Sequence, residues 1–242
     1  MKSFISVALF AGIIALTKAE DYACHNNVTF GCSNSISNPV ICHSRYGGIE
    51  NVESGIQSYI NLNMHKSYQY LLMSTFYNSY QKNRPGFTKL YKEMSDRSFD
   101  DAIELIRHVT RRGGQVDFRA MSQHPNSVAN SKLKLDEDEL HSLGTALDVE
   151  KILADGATRL HFEATHGRPH DPQTAHFVEE KFLGRQAESI RKVSGYVNDL
   201  SKIMNNPDPS LGVYLFDQYL EKQKAPASQS KARIDWDVLS CC

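Results

Sequence analysis

The 242-residue sequence predicts an all-α fold: a four-helix bundle with one long crossover and a short fifth helix. Three observations carry that expectation. Four stretches of about 25 to 30 residues place small or apolar side chains three and four positions apart, the period of a helix with one buried face. A polar, Ser- and Asn-rich connection of about 20 residues separates the second from the third, long enough to cross a bundle. No stretch alternates apolar and polar residues as a half-buried strand does.

The first helix is expected from about Ser54 to Ser79, with Ile56, Ile60, Asn63, Ser67, Tyr70 and Ser74 on its inward seam. The second runs from about Gly86 to Arg112, its seam formed by Phe87, Tyr91, Met94, Ser98, Asp101 and Leu105. Gly113 and Gly114 stop it, since glycine takes up the left-handed conformation that ends a helix. The crossover covers about Gln115 to Lys134. The third helix is expected from about Asp136 to Thr165, with Leu143, Ala146, Glu150, Leu153, Ala157 and Leu160 inward. The fourth opens on Asp171-Pro172, a capping side chain followed by proline at the first helical position. It reaches about Met204, with Gln186, Ile190, Val193, Val197 and Leu200 on its seam. Asn205 to Pro209 breaks it, and a fifth helix covers about Ser210 to Lys222.

The bundle is expected to occupy residues 51–222, followed by a flexible tail over 223–242. Residues 1–19 read as a secretory signal peptide: Lys2, an apolar run from Phe4 to Leu16, then Thr17-Lys18-Ala19. Residues 20–50 read as an extended arm carrying Cys24, Cys32 and Cys42, while Cys241 and Cys242 end the chain. These spacings lack the Cys-x-x-Cys form of metal sites, so disulfides in an oxidising compartment are expected. Three cysteines cannot all pair among themselves. One arrangement joins Cys24 to Cys42 and leaves Cys32 for a partner chain; the spacing leaves other pairings open. Asn27-Val28-Thr29 is a glycosylation sequon.

With 27 Lys and Arg against 28 Asp and Glu, nothing in the net charge of -1 favours a nucleic acid partner. No segment after the signal is apolar for long enough to span a membrane.

Four stretches, in chain order, resemble the ferritin family. They are Ile60 to Ser74 (INLNMHKSYQYLLMS) in the first helix, Arg112-Gly113-Gly114, Ala146 to Lys151 (ALDVEK) in the third, and Tyr214 to Asp217 (YLFD) in the fifth. The signal, the cysteine arm and the tail resemble the secreted ferritins of insects, which mix two subunit types. The resemblance implies iron storage as a ferric mineral in the extracellular fluid. It also implies a cage of about 24 subunits built with a heavy-type partner.

The resemblance also supplies a site pattern: Glu on the first helix, Glu-x-x-His on the second and Glu on the third, supported by Tyr and Gln. Hard iron ions need such inward carboxylates and an imidazole. Here Asn63 stands for the first Glu, and Ser98-Phe99-Asp100-Asp101 replaces Glu-x-x-His, while Tyr70, Glu150 and Gln186 remain. The expectation is a degenerate centre in a light-chain-type subunit with no catalytic activity, oxidation being left to the heavy-type chain. Asp101, Glu150 and Gln186 are expected to hydrogen-bond to one another in the core. Restoring Glu, Glu and His at positions 63, 98 and 101 is expected to recreate iron oxidation.

Glu93, Asp96, Asp100 and Glu104 fall within an arc of roughly 80° on the second helix. By the resemblance, Glu93, Asp96 and Asp100 match cavity-facing positions that nucleate mineral, and Glu104 is adjacent. Arg97 and Ile103 stand where acids are typical. The three-fold channels that admit iron would be lined by His176 and Glu179, His176 standing where the family has Asp. Glu180, one residue on from Glu179, is expected to point elsewhere. Two other functions fit a helical bundle: an active di-iron oxidase, which the lost ligands oppose, and a secreted helical signalling protein, which would need two long crossovers.

Overall fold

A computed structural model describes residues 43–119 and 138–223. The signal peptide, Cys24, Cys32, Cys42, Asn27, most of the crossover, and Cys241 and Cys242 lie outside the described residues. The described part holds α1 (Ile49–Tyr77), α2 (Pro85–Arg111), α3 (Glu139–His166), α4 (Pro172–Val178), α5 (Gly184–Met204) and α6 (Ser210–Lys222). A π-helical turn over Glu179–Leu183 joins α4 to α5, so the two form one fourth rod.

Every seam residue expected on the first three helices is buried, from Ile56 at 0% exposure to Ser67 at 8%. The first helix begins one turn earlier than expected because Ile49 and Val52, both 1% exposed, continue the same apolar stripe. The third begins a little later, at Glu139, where the Asp138 carboxylate accepts from the His141 backbone N–H. The fourth rod departs from the expected seam at two positions. Ser189 and Tyr196 are buried where Ile190 and Val197 were expected. Tyr196 is drawn inward by α6, packing edge-on against Phe216 and Tyr219 at 6.0 and 6.4 Å between ring centroids.

α2 ends beside the start of α1: Arg45 donates to the Gly113 carbonyl at 3.0 Å, and the Glu53 carboxylate accepts from the Gln115 N–H at 2.6 Å. α3 starts at the other end, where Arg84 pairs with Glu139 at 3.0 Å and the Tyr91 and Ser142 hydroxyls meet at 2.7 Å. The connection between α2 and α3 therefore joins opposite ends of the bundle, which is the single long crossover. Gly113 takes φ +77, the left-handed conformation that closes α2.

Two structures pin the bundle ends. At the crossover end, α4 opens as expected on Asp171, whose carboxylate accepts from the Thr174 N–H at 3.2 Å. The same carboxylate receives Arg112 at 3.1 Å through both guanidinium nitrogens and the Thr174 hydroxyl at 3.2 Å. His108 meets that hydroxyl at 3.0 Å and stacks on Phe177. At the far end, Tyr77, Phe87, Tyr91 and Phe216 form an aromatic cluster. There the Asp217 side chain accepts from the Phe87 N–H at 3.0 Å, capping α2 from α6. Only glycine fits at position 86, because a Cβ would run into the Asp217 carbonyl oxygen. Among the described residues no helix is long and apolar enough to cross a membrane.

Candidate metal centre

Halfway along the bundle, α1 supplies Asn63 and Tyr70, α2 Ser98 and Asp101, α3 Glu150, and α5 Gln186. All six are at most 4% exposed. Helical spacing brings them together: residues three or four apart on each rod share one inward face. The contacts they make differ from the expected ones. Asp101, Glu150 and Gln186 do not hydrogen-bond to one another.

Instead, each carboxylate meets an arginine. Arg185, from α5, donates to Asp101 Oδ1 at 2.6 Å. Arg97, from α2, lies 4.0 Å from Glu150 Oε2 and donates to the Ser189 hydroxyl on α5 at 2.9 Å. Glu150 also accepts from the Tyr70 hydroxyl at 2.9 Å, which reaches the Ala146 carbonyl at 3.2 Å as well. The three-way bonding fails because a guanidinium is a stronger partner for a carboxylate than a neutral amide is.

The amides are left short of partners. Asn63 donates to the Tyr59 carbonyl one turn back at 2.9 Å, leaving its side-chain oxygen without a well-formed partner. Gln186 Oε1 and the Tyr59 hydroxyl are likewise buried without a well-formed hydrogen bond. These two groups and Asn63 lie near enough to influence one another, and both amides ease the Tyr59 hydroxyl downward. Burial and the Asp101 charge outweigh that and hold it well above its ordinary value. Burial pushes the Asp101 carboxyl up to about 6, against the pull of Arg185 and Arg97. Burial, the Glu150 charge and their shared hydrogen bond keep the Tyr70 hydroxyl protonated far above its usual range.

This donor set does not fit a pair of iron ions. It offers two carboxylates, each already facing a cation, and no imidazole. Among the described residues no three His, Cys, Asp or Glu side chains gather closely enough to hold a metal ion.

The acidic residues of α2 lie on another face. Asp96, Asp100 and Glu104 are exposed and Glu93 is half-buried, while Met94, Ser98 and Asp101 face the core. Asp96 pairs with Lys92, and Glu104 with Arg107 at 3.1 Å. On the fourth rod, Glu179 is exposed at the start of the π-helical turn. The Glu180 carboxylate lies 3.9 Å from His176 Nε2, one helical turn back.

Arg185 gives no signal in the helical period, and Arg97 stands out only as a gap in the acidic stripe. Each precedes a seam residue, Gln186 and Ser98. A long side chain beside a seam can send its charged end inward while its stem stays at the surface.

The Ferritin-like domain model matches residues 53–203, the stretch that holds this centre. A ferritin light chain of Drosophila melanogaster is 57% identical over 92% of this chain and 100% of its own length. A ferritin light chain of Trichoplusia ni is 40% identical over 82% of this chain and 90% of its own. The crystal structure of Trichoplusia ni secreted ferritin superposes with a TM-score of 0.74 at 38% identity, covering 83% of this chain and 99% of that one. In fold, in motif order and in the register of its inward residues, this chain belongs to the ferritin family, whose members store iron.

Proposed function

We propose that the chain is a light-chain-type subunit of a secreted ferritin, one that supports ferric mineral growth and cage assembly but does not oxidise iron. One observation carries this reading: the first-helix Glu and the Glu-x-x-His pair of the family pattern are replaced by Asn63, Ser98 and Asp101, all buried where ligands would have to be. Asn and Ser are neutral and weak ligands for a hard cation, and Asp101 carries no ring nitrogen. Oxidation falls to a heavy-type subunit in the same cage of about 24 chains.

Within such a cage, Glu93, Asp96 and Asp100, with Glu104 beside them, would gather ferric ions on the exposed face of α2. His176 and Glu179 would line the route by which iron is admitted. The names of the Drosophila and Trichoplusia relatives support the light-chain reading, and that of the Trichoplusia structure supports secretion. Secretion would place Cys24, Cys32, Cys42 and the Asn27 sequon in an oxidising, glycosylating route.

Oxygen consumption after addition of ferrous salt tests the reading. The pure chain is expected to oxidise iron no faster than buffer does, and co-assembly with a heavy-type subunit is expected to supply the missing activity. Rapid oxidation by the pure chain would overturn the proposal.

A further inference from the structure

The geometry points to a role for Arg97 and Arg185 that ligand loss alone does not provide: we infer that they are tethered cations which face the two buried carboxylates, Asp101 and Glu150, and so close the bundle interior to divalent metal ions. This rests on the reading of the centre as non-oxidising and extends it.

The two side chains cross one seam in opposite directions. Arg185 reaches from α5 to Asp101 on α2. Arg97 reaches from α2 to Ser189 on α5 and to Glu150 on α3. The carboxylates are sealed, with side chains 4% exposed, whereas the Arg185 and Arg97 side chains are 44% and 30% exposed. Each arginine thus enters from the solvent side: Arg185 ends on Asp101, and Arg97 ends on Ser189 with its charge 4.0 Å from Glu150. A buried carboxylate needs a compensating charge, and here the chain supplies it.

A dication arriving at Asp101 or Glu150 must displace a guanidinium held in place by its own backbone. A tethered competitor acts at high effective concentration. The incoming ion also meets the positive charge of the second arginine across a poorly screened interior. Rebuilding the ligands therefore does not suffice. Asn63→Glu and Ser98→Glu add donors but leave Asp101, Glu150 and both cations in place, so metal binding is expected only when Arg97 and Arg185 are replaced as well.

Cobalt(II) is the probe, because its visible absorption changes on coordination. The signal counted is the part abolished by Glu150→Gln in each background. The assembled double variant, Asn63→Glu with Ser98→Glu, is expected to bind Co(II) at least tenfold more weakly than the same variant carrying Arg97→Gln and Arg185→Gln. Variants with only one arginine replaced should fall between, and they decide the matter if the four-residue variant fails to assemble. Equal affinity with and without the arginines would overturn the inference, as would no binding in any assembled variant. Tight binding by the unmodified chain would instead overturn the non-oxidising reading beneath it.

Discussion

Two arginine–carboxylate clusters bridge α2 to the fourth rod, one at the end of the bundle and one at its middle. They solve the same problem with different completeness. At the end, Arg112 and Asp171 form a two-pronged pair whose side chains are 3% and 2% exposed. Thr174 adds a backbone and a hydroxyl bond, and His108 meets that hydroxyl. The Arg112 fork and the Thr174 bonds hold the Asp171 carboxyl below its ordinary range although burial pushes it the other way. One buried atom of the end cluster, Arg112 Nε, lacks a partner; at the middle Asp101 has one guanidinium contact, and the Asn63 and Gln186 oxygens and the Tyr59 hydroxyl all lack well-formed partners. There burial wins and the Asp101 carboxyl rises. The difference separates a cluster built for structure from one left where a metal centre stands in the family pattern.

Breaking the end cluster should have the largest effect. Arg112→Met leaves the Asp171 charge buried and unpaired, which typically costs about 3–5 kcal/mol. Removing Arg185 should cost far less, because its side chain is nearly half exposed and Asp101 can take up a proton near pH 6 instead. The unfolding midpoints of the two variants, compared in the assembled protein, measure the contrast. A Arg185→Met loss equal to that of Arg112→Met would show the middle cluster to be structural as well.

A smaller contrast comes from single hydroxyls. Thr174→Val removes a group bonded on both sides and should cost about 1–2 kcal/mol. Tyr59→Phe removes a hydroxyl that lacks a well-formed partner and should be neutral or stabilising by about 0.5 kcal/mol. Unfolding midpoints in the opposite order would mean that the Tyr59 hydroxyl is satisfied and the middle cluster complete.

Much of the end cluster was legible in the sequence, and much of the middle one was not. Asp171-Pro172 announces a capped helix start, and Arg112-Gly113-Gly114 a helix end, because caps and glycine stops act locally. The inward register of Asn63, Ser98, Asp101 and Glu150 was legible too, since helical period fixes where each Cβ points. Partner choice was not. Period says nothing about where a long side chain ends, so Arg97 stood out only as a gap in the acidic stripe and Arg185 not at all. The shift from Ile190 and Val197 to Ser189 and Tyr196 was hidden for a related reason: it depends on α6 packing against one edge of the fourth rod, a contact between distant parts of the chain.

The pH dependence is the most diagnostic contrast, because the two carboxylates should respond to pH with opposite signs. An unfolded aspartate titrates near 3.9. Asp101 in the folded chain is raised to about 6, so between those values the folded state holds a proton that the unfolded chain has released. Its contribution to stability therefore falls as pH rises through that window. Asp171 is lowered, so its contribution is full above the unfolded value and is lost as pH falls through the folded one. Asp101→Asn should thus gain on the unmodified protein as pH rises from about 4 to 6, and Asp171→Asn should lose ground as pH rises through the more acid range. Unfolding midpoints across pH for the three proteins test both signs. If Asp101→Asn instead lost ground on rising pH, Arg185 would be holding Asp101 as firmly as Arg112 holds Asp171, and the two clusters would be the same kind of device.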